Sequence, residues 1–128
     1  MNYAYEEKSA YAFEETLTRL KNAVKEQSFG ILYEVNLKKK INGKGLDFEP
    51  NFTVMDVCSP QIAKDVLDEQ IEAGYFLPCK VVVYEKDDAV YAGLLKPTVL
   101  IEMVNNDSLK ESAEKVEEIL IKAVKEAV

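Results

Sequence analysis

The sequence predicts an α+β fold, a mainly antiparallel sheet with helices packed on one face. Three observations predict it. Apolar residues recur at helical spacing in three separate stretches, segments rich in β-branched and aromatic residues lie between them, and the connections are short. The element order is β-α-β-β-α-β-β-α. It runs through residues 1–128 as a single domain, with no repeat, low-complexity tract or linker to divide it.

Tyr3 and Tyr5 alternate with polar residues over 2–8, which reads as a first strand. Ser9 offers a capping oxygen, and Phe13, Leu17, Leu20 and Val24 then mark an amphipathic helix to about residue 27. Phe29 to Val35 has strand composition. Asn36 is placed to cap a short helical turn over Leu37–Ile41, closed at Asn42-Gly43, where glycine tolerates positive φ. A third strand follows over Phe52–Cys58. Ser59-Pro60 then has the pattern of a helix start, with Ile62, Ala63, Val66, Leu67 and Ile71 as its buried stripe and Gly74 as its end.

Cys79–Glu85 is valine-rich and suits a central strand buried on both faces. Lys86-Asp87-Asp88 turns it into a hairpin with Ala89–Leu95. Residues 98–104 fit strand or helix equally well. The last helix is the clearest element, with Ser108 and Glu111 as a capping box and Leu109, Ala113, Val116, Leu120, Ala123 and Val124 along one face.

Composition narrows the function classes. A formal charge of −7 disfavours nucleic acid, whose binding rests on neutralising phosphates. The basic cluster Lys38, Lys39, Lys40 and Lys44 lacks interleaved aromatics and is offset by Asp47 and Glu49, so it reads as a solvated surface. Apolar runs are too short for a membrane helix. Two cysteines and an N-terminus without signal-peptide character lead us to expect a cytoplasmic protein. Histidine is absent, which removes the commonest general base and zinc ligand.

The remaining candidates for chemistry are few. Cys58 and Cys79 each flank a strand, but their separation matches neither a CxxC redox motif nor a zinc knuckle. Antiparallel pairing of their strands would bring them to one end of the sheet, and parallel pairing would part them. Cys58 precedes a helix start, a setting that lowers a thiol pKa, whereas a buried cysteine simply packs as a small hydrophobe. Glu34 and Asp56 are strand carboxylates that would titrate abnormally beside a cleft and normally on an exposed face. Seven tyrosines suit either an aromatic interface or half-buried strands. No phosphate loop, nucleophile elbow or HExxH motif is present.

Phe29-Gly30-Ile31-Leu32-Tyr33-Glu34-Val35-Asn36, Asp47-Phe48-Glu49-Pro50, Val57-Cys58-Ser59-Pro60 with Ala63 and Leu67, and Leu77-Pro78-Cys79 before its valine-rich strand together resemble the domain-of-unknown-function 302 family. The resemblance runs from about residue 10 into the last helix. It implies a small α+β domain, usually a homodimer, with no established catalytic residues. Members of that family often carry an acid at Asn36, asparagine at Ser59 and Lys80, histidine at Lys64 and aspartate at Lys96. Glu34, Cys58 and Cys79 are retained. Lysines at 64, 80 and 96 would repel a cation and attract an anion.

The expected function is therefore a homodimer that binds a small ligand, an anion included, or a partner protein, with no established catalysis. The candidate pocket set is Cys58, Cys79, Glu34, Asn36, Lys64 and Lys80. The alternative is a thiol-dependent enzyme or sulfur or redox carrier using Cys58 and Cys79. Neither cofactor nor metal is expected, because the apolar content supplies a core and ligand-like spacing is missing. Chelator treatment should leave the cooperative thermal transition unchanged, and loss of that transition would contradict the expectation.

Overall fold

The computed structural model describes residues 1–128. The strands are β1 (Ala4–Lys8), β2 (Gly30–Asn36), β3 (Phe52–Cys58), β4 (Cys79–Lys86) and β5 (Ala89–Leu95). The helices are α1 (Phe13–Glu26), α2 (Leu37–Asn42), α3 (Pro60–Glu69), α4 (Pro97–Ile101) and α5 (Lys110–Ala127). The strands form one sheet in the order β1-β5-β4-β3-β2, with every neighbouring pair antiparallel. The α+β architecture matches the sequence reading; α2 is the short helical turn expected after Asn36, and α4 is an addition in the stretch that fitted strand or helix.

Alternation along the strands divides the sheet into two unlike faces. Met55 and Val57 of β3, Val81 and Val83 of β4, and Ala92 of β5 are wholly buried and face the helices. Leu20 and Val24 of α1 and Leu120, Ala123 and Val124 of α5 close over them, also wholly buried. The opposite face carries three cross-strand rows. One runs through Phe52, Tyr84, Tyr91 and Lys8, the next through Val35, Val54, Val82, Gly93 and Glu6, and the third through Tyr33, Asp56 and Lys80. Only Gly93 in these rows is buried, and none of their residues belongs to a buried hydrophobic cluster. Thus β4 is central but covered on one face, because the two long helices lie on the same side.

Helix ends differ from the sequence reading. Ser9 does not cap α1; it accepts from the Tyr11 N–H (3.1 Å) and shares a hydrogen bond with Thr16 Oγ1 (2.7 Å). The C-terminus of α1 closes with Ser28 at φ 65°, where bonds from Ser28 N–H to Lys25 O and Phe29 N–H to Val24 O form a Schellman pair. Asn36 caps α2 as expected, accepting from Lys39 N–H at 3.0 Å. The following positive φ belongs to Gly45 (80°), not Gly43 (−64°).

The Ser59 side chain makes no cap bond, α3 ends at Glu69, and a 3-10 turn over Ile71–Phe76 follows. Ile71 is therefore exposed, and of the expected stripe only Val66 is fully buried. The ambiguous stretch after Pro97 is helical, α4 and then a 3-10 turn over Glu102–Val104. Glu117 of α5 reaches across to accept from Thr98 Oγ1 (2.7 Å) and Thr98 N–H (3.2 Å), supplying the cap that local sequence lacks. The capping box at Ser108 and Glu111 is replaced by Asn106, whose side chain accepts from Ser108 N–H at 3.0 Å.

The β4–β5 loop is only Asp87 and Asp88, at φ 51° and 61°, the signs found in a type I′ hairpin. Gly93 is required by a close approach. A Cβ there would stand 2.7 Å from Tyr5 O and 2.8 Å from Glu6 Cβ. The missing side chain gives Glu6 room to cross β5 and accept a hydrogen bond from the Tyr84 hydroxyl. Gly93→Ala should destabilise the fold by about 1–3 kcal/mol through overpacking against backbone. Urea unfolding would measure it, and a wild-type midpoint would contradict the packing argument.

Candidate functional site

The buried residues form two clusters, and the candidate site lies between them. The larger joins α1, α5 and the covered sheet face; the smaller comprises Val66, Ala73, Ile101, Leu109 and Ala113. Helix α5 belongs to both, placing Ala113 in the small cluster and Val116, Leu120 and Val124 in the large one. Where it passes from one to the other, a cavity of about 390 Å³ is left. The large cluster contributes Phe29, Val57 and Val116 to its wall, and all five residues of the small cluster line the other side.

Apolar side chains make up 17 of the 23 lining residues, so shape and dispersion dominate what the cavity can hold. Its charged residues are Asp56 and Lys80, directly opposite each other in the β3–β4 register. Ser59 and Ser112 add hydroxyls, and Cys58 and Cys79 complete the polarisable set. The structure thus brings together Cys58, Cys79 and Lys80 of the expected pocket residues, along with the strand carboxylate Asp56.

The other three do not line the cavity. Glu34 forms an ion pair with Lys21 of α1. Asn36 is occupied in capping α2. Lys64 pairs with Asp68 one turn along the exposed side of α3. Ser112, Leu100 and Ile101 were not singled out from sequence. Ser112 had no local signal beyond its place beside the buried stripe of α5, and the other two lay in the stretch that fitted strand or helix.

The antiparallel β3–β4 pair sets Val57 opposite Cys79, so the two cysteines lie at the same end of the sheet. Both are free thiols. Burial pushes the Cys58 thiol above its ordinary value, the opposite direction from the lowering a helix start would give. Burial first, and then the nearby Cys58, push Cys79 up to about 11. Both thiols are thus less acidic than an ordinary cysteine side chain. No group of three His, Cys, Asp or Glu side chains is arranged to hold a metal ion, and no helix is long and apolar enough to cross a membrane.

A family model described as a domain of unknown function, DUF302, matches residues 5–127. The chain belongs to the DUF302 family. Its structure is similar to the crystal structure of an uncharacterized conserved DUF302 protein from Bacillus stearothermophilus, with a TM-score of 0.96 and 36% identity over 100% of both chains. No curated protein matches it.

The raised thiol values give this DUF302 domain a pH signature. In the unfolded chain Cys79 ionises near 9.0, whereas in the fold it does so near 11. The stabilising contribution is complete below the unfolded value and is lost as pH rises from about 9 through 11, because the unfolded state releases its proton first. Thermal midpoints should fall across that window, and Cys79→Ala should flatten the decline. A pH profile unaffected by that substitution would contradict the assignment.

Proposed function

We propose that this DUF302 domain is a homodimeric small-ligand-binding protein whose ligand is mainly apolar and occupies the cavity between the two hydrophobic clusters. The cavity carries the reading. Its volume of about 390 Å³ lies in the range of small-molecule sites, and its wall is apolar with few polar groups to orient a guest. Lys80 and Asp56 oppose each other at one border, so net charge is balanced there and a single polar or weakly anionic group on the ligand has a donor to meet. The two weakly acidic thiols favour contact with soft, polarisable carbon rather than covalent chemistry.

Binding is tested by thermal melts in a graded series of straight-chain alcohols and carboxylates from hexyl to dodecyl. A ligand that fits should raise the midpoint by about 5 °C at ten times its Kd. Ala63 is a half-buried wall residue on α3, and Ala63→Phe fills space there while leaving the sheet untouched. It should weaken the best ligand about tenfold or more. A series without any midpoint shift, or shifts unchanged by Ala63→Phe, would refute the cavity as the binding site.

A further inference from the structure

Of the two outer strands of the sheet, β2 lies beside a concentration of positive charge. Apart from its ladder with β3, none of the fold's turn, loop or cap bonds uses the backbone of Gly30–Val35. Its outward N–H and C=O groups are therefore free to pair with another extended chain. A bulge between Ile31 and Tyr33 interrupts the first half of the strand. Tyr33–Asn36 then runs in unbroken register against Thr53–Asp56, so the regular half of the edge is the half next to α2. There Tyr33 is 68% exposed and Val35 half-buried, both on the uncovered face of the sheet.

The charge at that end selects the occupant. Helix α2 and the loop after it carry Lys38, Lys39, Lys40 and Lys44 against Asp47 and Glu49, in a chain whose total is −7. None of those four ammonium groups makes an ion pair. An open cleft here is lined by Asn36, Lys38, Lys39, Asn42 and Gly43, with no apolar residue. The other acids around the edge are already engaged. Glu34 pairs with Lys21, Glu85 accepts from Asn51 N–H, and Asp56 stands opposite Lys80. A nucleic acid would meet the lysines but offers no peptide groups to the strand edge, and the acidic remainder of the chain repels it. A second copy of β2 would bring one acid, Glu34, which is already paired.

We propose that the β2 edge binds an extended, acidic peptide segment of a partner protein, added to the sheet as a further strand. Every existing pairing is antiparallel, and the added strand continues that pattern. Its acidic residues then precede its paired stretch, because β2 runs toward α2 and an antiparallel chain enters from that end. Alternate apolar residues of the paired stretch cover Tyr33 and Val35. This surface is separate from the cavity, whose wall contains no residue of β2 or α2.

The test is fluorescence anisotropy of the full chain with a labelled synthetic peptide, a run of acids followed by alternating valine and threonine. Wild type should bind it, with affinity falling as salt is raised. Lys39→Gln, Lys40→Gln and Lys44→Gln together should weaken binding about tenfold or more, with circular dichroism confirming the fold. A peptide with its acids moved to the other end should bind about tenfold more weakly. N-methylation of the peptide separates strand pairing from charge and leaves the protein untouched. Methyl groups on one alternate set of nitrogens should abolish binding, and on the other set should be tolerated, since only one set faces β2. Absence of peptide binding, equal binding by both methylated forms or by the reversed peptide, or a triple variant that binds as wild type would each overturn the proposal. An oligonucleotide of equal charge binding as tightly would overturn it too. None of these results bears on the cavity, which the alcohol and carboxylate melts decide separately.

Discussion

The fold depends on one packed layer, the wholly buried residues of β3 and β4 beneath α1 and α5. Met55, Val57, Val81 and Val83 meet Leu20, Val24, Leu120 and Val124, and each such side chain contributes about 1.5–3 kcal/mol when removed from water. The middle of α1 is further tied to the end of α5. Arg19 of α1 donates to Ala127 O (3.2 Å) and Glu126 O (3.0 Å), placing a cation on the C-terminus of α5 while its guanidinium stacks 4.1 Å above the Tyr11 ring. With both helices committed to one side, the asymmetry of the sheet follows.

That layer also explains why a cavity exists. Helix α5 has 18 residues, about 27 Å at 1.5 Å each, so its packing is shared between two clusters. The second cluster is built by Val66 of α3, Ile101 of α4, Ala73 and Leu109 of the 3-10 turns, and Ala113 of α5 itself. Two cores meeting along one helix do not interdigitate as one core does, and the mismatch appears as space between Val116 and Ala113 on one side and the strand ends on the other. Both cysteines stand at those strand ends. Their burial reflects the same junction, and it raises both thiols above their ordinary values.

Much of this was legible in the sequence. The helical stripe of Phe13, Leu17, Leu20 and Val24 and that of Ala113, Val116, Leu120 and Val124 are strong because both helices bury one continuous face. The meeting of Cys58 and Cys79 followed from antiparallel pairing, one of two arrangements the residues allowed. What was hidden depended on distant partners. Thr98 starts a helix because Glu117 caps it from α5, and no local pattern near residue 98 announces that contact. Ser9 looked like a cap but bonds to Thr16, seven residues on. Glu34, Asn36 and Lys64 were grouped with the thiols by family pattern, yet each is satisfied elsewhere, by Lys21, by the α2 backbone and by Asp68. Side-chain polarity locates candidates; only the register decides which of them share a space.

The two aspartates at the β4–β5 tip have a reach out of proportion to their size. Left-handed backbone is unfavourable for most side chains and more tolerable for aspartate. Holding Asp87 and Asp88 there fixes Lys86 opposite Ala89 and therefore Tyr84 opposite Tyr91. A loop one residue longer on a single strand would invert every partner beyond it, turning Ala92 and Leu94 outward and Tyr91 and Gly93 into the helices. Glu6 would then have no gap to cross, and the aromatic row would be broken at its middle. The difference between the inside and the outside of this protein is thus enforced at its most exposed corner, by a pair of residues that touch neither side.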